Sequence, residues 1–414
     1  MPNTTKSLAL YGAQHLLTLF GSIIATSAAC GLSMPVCLFT GGLGTLVFHL
    51  CTKGQVPVFT GASTAFVAPV AAVVMASGVR DAARIPYATG AIVLVGVVYC
   101  FFALAAYFVG AEKIKKLFPP VVTGPVIMII GCKLAGKACA QAGSNWLIAL
   151  VTLLAVLAAS AFGRGFLKSI AFLIGIAAGY IAALVCGVAS GVHIIDFSAL
   201  AAAPWVQPFW SLSGDFFVLP KFDLAAIALI TPVAIVTGME HIGDITTNGA
   251  VVGRDFFKHP GLHRTLLGDG LSTLAAGLLG GNSTTTFSQN TGLLAMTGVY
   301  SPRVLRAAAI MAMLLALVGK LAGLVASIPI AVIGGISIVL FGSIAAVGIR
   351  NMVENRVDFT DTRNIMIVAV TLVLGLGMGA GVKIGSVAVS PLFLAVVAGV
   401  LMNAVFSRTL KPAA

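Results

Sequence analysis

Glu240 and Asp244 stand one helical turn apart in ALITPVAIVTGMEHIGDIT, a stretch otherwise apolar enough to lie inside a membrane. A carboxylate at bilayer depth costs about 2.5–3.5 kcal/mol on insertion scales, so one kept there marks a substrate or ion pathway. The chain has only 12 Asp and Glu in 414 residues. The other ten, Asp269 among them, fall at or near the ends of apolar runs, where water or lipid headgroups can solvate them. His15, in the first apolar run, and His241, next to Glu240, are the basic groups that could partner the pair.

Residues of this kind need a scaffold, and the composition says which. Hydrophobic residues make up 59% of the chain and charged residues 9%, against about 25% charged in a soluble domain. The apolar runs are long enough for helices of about 20 residues and do not alternate as barrel strands do. An all-α polytopic membrane protein is expected. The first run, SLALYGAQHLLTLFGSIIATSAA, is too long for a cleaved signal and lacks the usual basic leader, so it reads as the first span.

Fourteen spans are expected, at about 8–29, 34–51, 56–76, 85–109, 118–139, 146–163, 169–192, 224–247, 266–281, 283–299, 303–326, 328–349, 363–382 and 389–407. With both termini cytoplasmic, most of the 24 Lys and Arg fall on the cytoplasmic side. Arg80, Arg84, Lys133, Lys137, Lys221 and Lys383 lie on the other face, and Lys320 within a span. That asymmetry follows the positive-inside rule in a cell (inner or plasma) membrane and accounts for the net charge of +12 without nucleic acid. The segment from His193 to Phe222 then faces outside, with Trp205 and Trp210 as interfacial anchors. The seven cysteines lie in the first half with no CxxC pair and no His at metal spacing, so they read as small buried hydrophobes. Neither a metal constellation, a nucleophile motif nor a cofactor loop is visible, which argues against an enzyme and against a cofactor.

The chain also repeats itself. Gln14-His15 matches Glu240-His241 at an offset of 226, and Gly42-Leu43-Gly44-Thr45-Leu46 matches Gly270-Leu271-Ser272-Thr273-Leu274 at 228. Phe59-Thr60-Gly61 matches Phe287-Ser288-Gln289 at 228, and the PPVVTG run around Gly124 matches PIAVIG around Gly334 at 210. Two seven-span halves follow, and an odd number makes the repeat inverted, as in many secondary transporters. The segments 56–69 and 282–298 hold corresponding places and read as short extended runs turning into half-helices. Their N-termini, near Ala62–Thr64 and Asn290–Gly292, would present unpaired N–H groups to a polar or anionic ligand.

QNTGLLAMTG, from Gln289 to Gly298, resembles the signature of the nucleobase–ascorbate transporter family, Q/E/P-N-x-G-x-x-x-x-T-R/K/G. Gln14-His15, the Glu240-to-Asp244 run, PGLHRTLLGDGLSTLAAGLLGG and VENRVDFTDTRN carry the likeness along the chain, nearest the bacterial uracil permeases. The resemblance implies a seven-plus-seven inverted repeat, a homodimer, and a proton-coupled symporter importing uracil or a related base. It also implies a core domain (spans 1–4 and 8–11) and a gate domain (spans 5–7 and 12–14). Residues 1–139 then hold the first core part with span 5, 140–222 gate spans 6–7 and the external loop, 223–327 the second core part, and 328–414 the remaining gate.

In that family the glutamate of the eighth span and the first signature residue hydrogen-bond the base. Those positions are Glu240 and Gln289 here, and a protonated carboxyl or an amide offers a base edge both donor and acceptor. Ser288, Phe287, Thr64, Ser63 and Phe341 complete the implied substrate site, and Glu240, Asp244, His241 and His15 the proton-coupling set. Relatives of the uracil branch carry Glu at Gln289, Phe at Thr64, Tyr-Gly at Phe287-Ser288 and Tyr at Phe341. Gln is typical of purine carriers for xanthine or urate, so a purine permease is the alternative substrate reading. Since Gln289 cannot titrate, coupling would rest on Glu240, Asp244 or a nearby His.

Each residue also has a structural reading. His15 and His241 would tie helices together, Asp244 would support the half-helices, and Asn290 the loop at the signature. Lys320 would snorkel or pair within the core, and Asp269 would cap the ninth helix from the cytoplasmic side. From other classes, an anion carrier on the same seven-plus-seven fold would bind its ligand with no acid beside it, which Glu240 opposes. A channel would need polar rings along several helices, and none is visible.

Overall fold

The computed structural model describes residues 5–75, 79–110, 119–208, 216, 218–379, 382–384, 387–389 and 391–409. Trp210, Lys113, Lys115, Lys116 and Lys411 lie outside the described residues. The fold is mostly helical. Its principal helices are α1 (Thr5–Cys30), α2 (Met34–Cys51), α3 (Val67–Val74), α4 (Ile85–Val109), α5 (Pro120–Lys133), α6 (Trp146–Phe162) and α7 (Ala171–Ser190). They continue as α8 (Val233–Val252), α9 (Leu262–Leu278), α10 (Ser288–Thr297), α11 (Pro302–Ala316), α12 (Ile330–Glu354), α13 (Thr362–Gly377) and α14 (Pro391–Thr409). Among the described residues, seven helical stretches are long and apolar enough to cross a membrane: Lys6–Cys30, Met34–Cys51, Ala82–Val109, Pro120–Ala142, Ala171–Ser190, Leu224–Val252 and Ile330–Glu354.

Helix ends follow local chemistry. Asn145 accepts a hydrogen bond from the Ile148 N–H to open α6, and Asp361 does the same for Arg363 in α13. The expected span at 328–349 runs on to Glu354, and an exposed i,i+4 ion pair between Arg350 and Glu354 at 2.7 Å lies on its last turn. In the expected eighth span the hydrogen-bond ladder is interrupted at Thr231-Pro232, where proline lacks an N–H, between Leu224–Ile230 and α8, although the backbone stays helical there. The eleventh breaks at 317–318 into α11 and Gly319–Ala326.

That second break sets Lys320 apart from its expected role. Its Nζ donates to the carbonyls of Leu200 and Ala201, at 2.9 and 3.1 Å, at the C-terminal end of a short helix Ser198–Ala202. A cation against unpaired helix carbonyls is favourable. Lys320 therefore fastens the 198–207 segment instead of snorkelling, and the Trp205 carbonyl and the Gln207 N–H bond the same break.

Two non-helical segments, one in each half of the chain, meet as a short strand pair. β1 (Thr60–Ala62) and β2 (Thr284–Thr286) pair antiparallel, Thr60 opposite Thr286, Gly61 opposite Thr285 and Ala62 opposite Thr284. Two strands of three residues are not stable in isolation. Here buried hydroxyls hold them: the Thr60 N–H donates to Thr45 Oγ1 of α2 at 3.0 Å, and the Thr284 N–H donates to Thr273 Oγ1 of α9 at 3.2 Å. Ser272 and Thr284 hydroxyls lie 2.8 Å apart. Thr45 and Thr273 are the repeat-matched pair at offset 228, and each clamps one strand. Irregular backbone at membrane depth persists only where protein covers it, and both strands are fully buried.

β1 passes through extended Ser63 into a 3-10 turn, Thr64–Phe66, and then α3. β2 passes through extended Phe287 into α10. The first half-helix begins where expected. The second begins at Ser288, earlier than Asn290, because the Asn290 N–H already closes a turn on the Phe287 carbonyl at 3.1 Å. Around this strand pair α9 packs along α4 and α2, α11 along α2 and α1, α12 along α5 and α6, and α13 along α14 and α5. Gly96 makes the α4–α9 contact possible: a Cβ there would stand 2.7 Å from the Leu274 nitrogen.

Candidate functional site

α8 carries a polar stripe with a four-residue period. Glu240, half-buried, faces a cavity of about 130 Å³. One turn on, Asp244 accepts hydrogen bonds from Thr286 Oγ1 at 2.8 Å and Ser288 Oγ at 2.9 Å. Another turn on, Asn248 donates to the Pro57 carbonyl and to Thr291 Oγ1, both at 3.1 Å. Spacing of i, i+4 and i+8 keeps all three on one face. That face locks α8 to both broken segments, to the entry of β1 and to the start of α10.

Ser63, Thr64 and Ala65 line the cavity from the first half-helix, and Thr285, Thr286, Phe287, Ser288 and Gln289 from the second. Ile127 and Ile130 of α5, Phe172 of α7, and Leu340, Ser343, Ile344 and Val347 of α12 form the remaining wall with Val236. Thus Glu240, Gln289, Ser288, Phe287, Thr64 and Ser63 are brought together around one space. Phe341 is not among its lining residues: it is 2% exposed and buried in α12, while its neighbours Leu340, Ser343 and Ile344 face the cavity.

Neither His15 nor His241 lines the cavity. His241 Nδ1 and Asp269 Oδ2 of α9 are 2.7 Å apart, with both side chains fully buried. Asp269 therefore does not cap α9. It sits well inside Leu262–Leu278, and the glycines beside it serve close packing: a Cβ on Gly268 would meet Phe48, and one on Gly270 would meet Cys100 and Tyr99. His15 is 1% exposed within α1 and does not line the cavity. Asn290, fully buried, follows Gln289 into α10, and its side-chain amide has no hydrogen-bond partner among the described residues.

Sequence reasoning missed Asn248, which continues the Glu240 period, and Phe172, which carried no signal in an ordinary apolar run. Chemically, the cavity offers one carboxyl, one amide and several hydroxyls on one side and an apolar wall on the other. That suits a small planar polar molecule with donors and acceptors on its edge.

Apolar helices enclosing such a cavity beside two broken segments define a multi-pass membrane transport protein. A family model described as a permease family matches residues 6–384. The chain belongs to that family, the nucleobase–ascorbate transporters whose signature it carries. The uracil permease of Bacillus caldolyticus is 43% identical over 401 residues, covering 94% of this chain and 90% of that protein. The uracil permease of Bacillus subtilis strain 168 is 38% identical over 419 residues, covering 98% and 94%. These relatives are permeases, not enzymes. Among solved structures, the transmembrane domain of a cyanobacterium bicarbonate transporter, BicA, aligns with TM-score 0.64 at 14% identity, over 96% of this chain and 98% of that one. The murine anion transporter Slc26a9 in its inward-facing state aligns with TM-score 0.69 at 12% identity, over 98% and 69%. At that identity the likeness is one of fold.

Proposed function

We propose that this chain is a proton-coupled symporter that imports uracil or a closely related nucleobase across the cell (inner or plasma) membrane. The observation that carries the reading is the meeting of Glu240 and Gln289 around one cavity at the start of α10. The edge of a base, with adjacent N–H and C=O groups, is matched by a protonated carboxyl and an amide. Ser63, Thr64, Phe287 and Ser288 complete the contacts. Relatives named uracil permeases support the base, and the apolar wall from α5, α7 and α12 supports a planar ring.

Glu240 binds the base while protonated and releases its proton on the inward side. Asp244 acts as its support, since both carboxylate oxygens are engaged by hydroxyls of the second broken segment. His241 holds Asp269 behind the site, and His15, buried in α1, is the remaining member of the proposed coupling set. The scaffold is a fourteen-span inverted repeat with cytoplasmic termini, working as a homodimer. Its core holds spans 1–4 and 8–11, and its gate spans 5–7 and 12–14. The matched clamps at Thr45 and Thr273 and the antiparallel β1–β2 pair support the inversion.

Gln289 and the small Thr64 favour a second reading within the family, a purine such as xanthine. The fold is shared with anion carriers, yet a carboxyl facing the cavity opposes an anion as substrate. Uptake of labelled uracil and xanthine into proteoliposomes, with and without an imposed proton gradient, tests all three. Uracil accumulation that collapses with the gradient is the expected result. Transport of bicarbonate or sulfate without either base would overturn the proposal.

A further inference from the structure

The two walls of the cavity differ in chemistry. Its carboxyl, its amide and most of its hydroxyls come from α8 and the broken segments, whereas α5, α7 and α12 contribute aliphatic side chains, one hydroxyl and one ring. The hydroxyl, Ser343, already donates to the Leu340 carbonyl at 2.8 Å. The ring is Phe172.

Only Phe172 and Phe287 line the cavity as aromatics among the described residues. Phe287 is 6% exposed and closed against strand backbone: a Cβ on Gly61 would stand 2.6 Å from its Cε2. Phe172 is half-buried, less enclosed than Phe287, and lines the cavity from α7. Its place is set by a close helix approach. It lies in the first turn of α7, where a Cβ on Gly21 of α1 would stand 2.7 Å from the Leu173 nitrogen and 3.0 Å from the Phe172 Cβ. With no side chain at Gly21, the root of the ring is seated against α1.

We propose that Phe172 supplies the π face on which the base lies while Glu240 and Gln289 hold its edge, and that its bulk limits how large a base the cavity takes. This rests on the nucleobase reading and adds its size selection. A ring on one wall and hydrogen-bonding groups on another match the two needs of a heteroaromatic base, a stacked face and a satisfied edge. Hydrogen bonding alone would not separate a pyrimidine from a purine with a similar edge. A ring held in place can.

The test is competition binding of uracil and xanthine to purified wild type and to Phe172→Ala, Phe172→Leu and Phe172→Tyr, with thermal melts to verify folding. Phe172→Ala is expected to weaken uracil about tenfold, the effect of losing one base–aromatic stack, and to shift the xanthine-to-uracil affinity ratio toward xanthine by about fivefold or more. Phe172→Leu, which fills similar space without a π face, reproduces the uracil loss, while Phe172→Tyr retains wild-type affinity. An equal change for both bases, no change, or a Tyr variant as weak as Leu overturns the role of Phe172. Wild type that binds neither base overturns the nucleobase reading itself, which is a separate outcome.

Discussion

At the scale of single residues, the site turns on two groups that differ in whether they can carry a proton. Glu240 titrates and Gln289 does not, so coupling placed on Glu240 has a direct consequence. Glu240→Gln keeps an amide able to hydrogen-bond a base edge, and binding should survive within about tenfold. Accumulation driven by a proton gradient should vanish, leaving equilibrative exchange at most. Gradient-dependent uptake at the wild-type level in that variant would place the proton elsewhere. Gln289→Glu restores a second acid at the signature and should shift preference toward uracil, read as a change of the uracil-to-xanthine uptake ratio. An unchanged ratio would remove that position from selectivity. Glu240 and Gln289 were both legible in the sequence, one as an expensive charge in an apolar run, the other through its signature. Phe172 was not, because an aromatic residue in an apolar helix looks the same whether it faces lipid, core or cavity.

At the scale of elements, the buried His241–Asp269 contact joins α8 to α9 immediately behind the site. Removing one member of a buried polar pair leaves the other without compensation, at a cost on the order of 3–5 kcal/mol, whereas removing both is far milder. His241→Ala should therefore lower the melting temperature in detergent by several degrees. Adding Asp269→Asn to it should recover part of the loss, a non-additivity that marks direct coupling. Equal and additive losses would mean that the two residues act separately. This pair also shows where sequence reading stops. Glycines on either side of Asp269 look like a helix end, the usual place for an aspartate cap. In the structure those glycines admit Phe48, Tyr99 and Cys100 against α9, so the aspartate stands in mid-helix. The broken segments, by contrast, were legible, since strand-like residues followed by small polar ones at matched places in both halves have few other uses.

At the scale of the whole molecule, the proposed inverted repeat makes a topological demand that is independent of substrate. The turn between α3 and α4 and the turn between α10 and α11 hold equivalent places in the two halves, so inversion must put them on different sides of the membrane. Asp81 lies in the first turn and Tyr300 in the second, and both are exposed. Charge supports the assignment of sides: Arg254 and Lys258 precede α9, Arg264 lies in its first turn, and Arg303 and Arg306 lie in the first two turns of α11, ends that the positive-inside rule assigns to the cytoplasm together with Tyr300. Seven native cysteines, all of the described chain and none in a disulfide, would first be replaced. In that background Asp81→Cys should react with a membrane-impermeant maleimide on intact cells, and Tyr300→Cys only after the membrane is opened. Asp358→Cys, after α12, should behave like Tyr300→Cys, because in the proposed topology twelve spans return the chain to the side on which it began. Labelling of Asp81→Cys and Tyr300→Cys from the same side would break the inversion. The β1–β2 pair would then need an origin other than two halves of opposite sense meeting at the middle of the membrane.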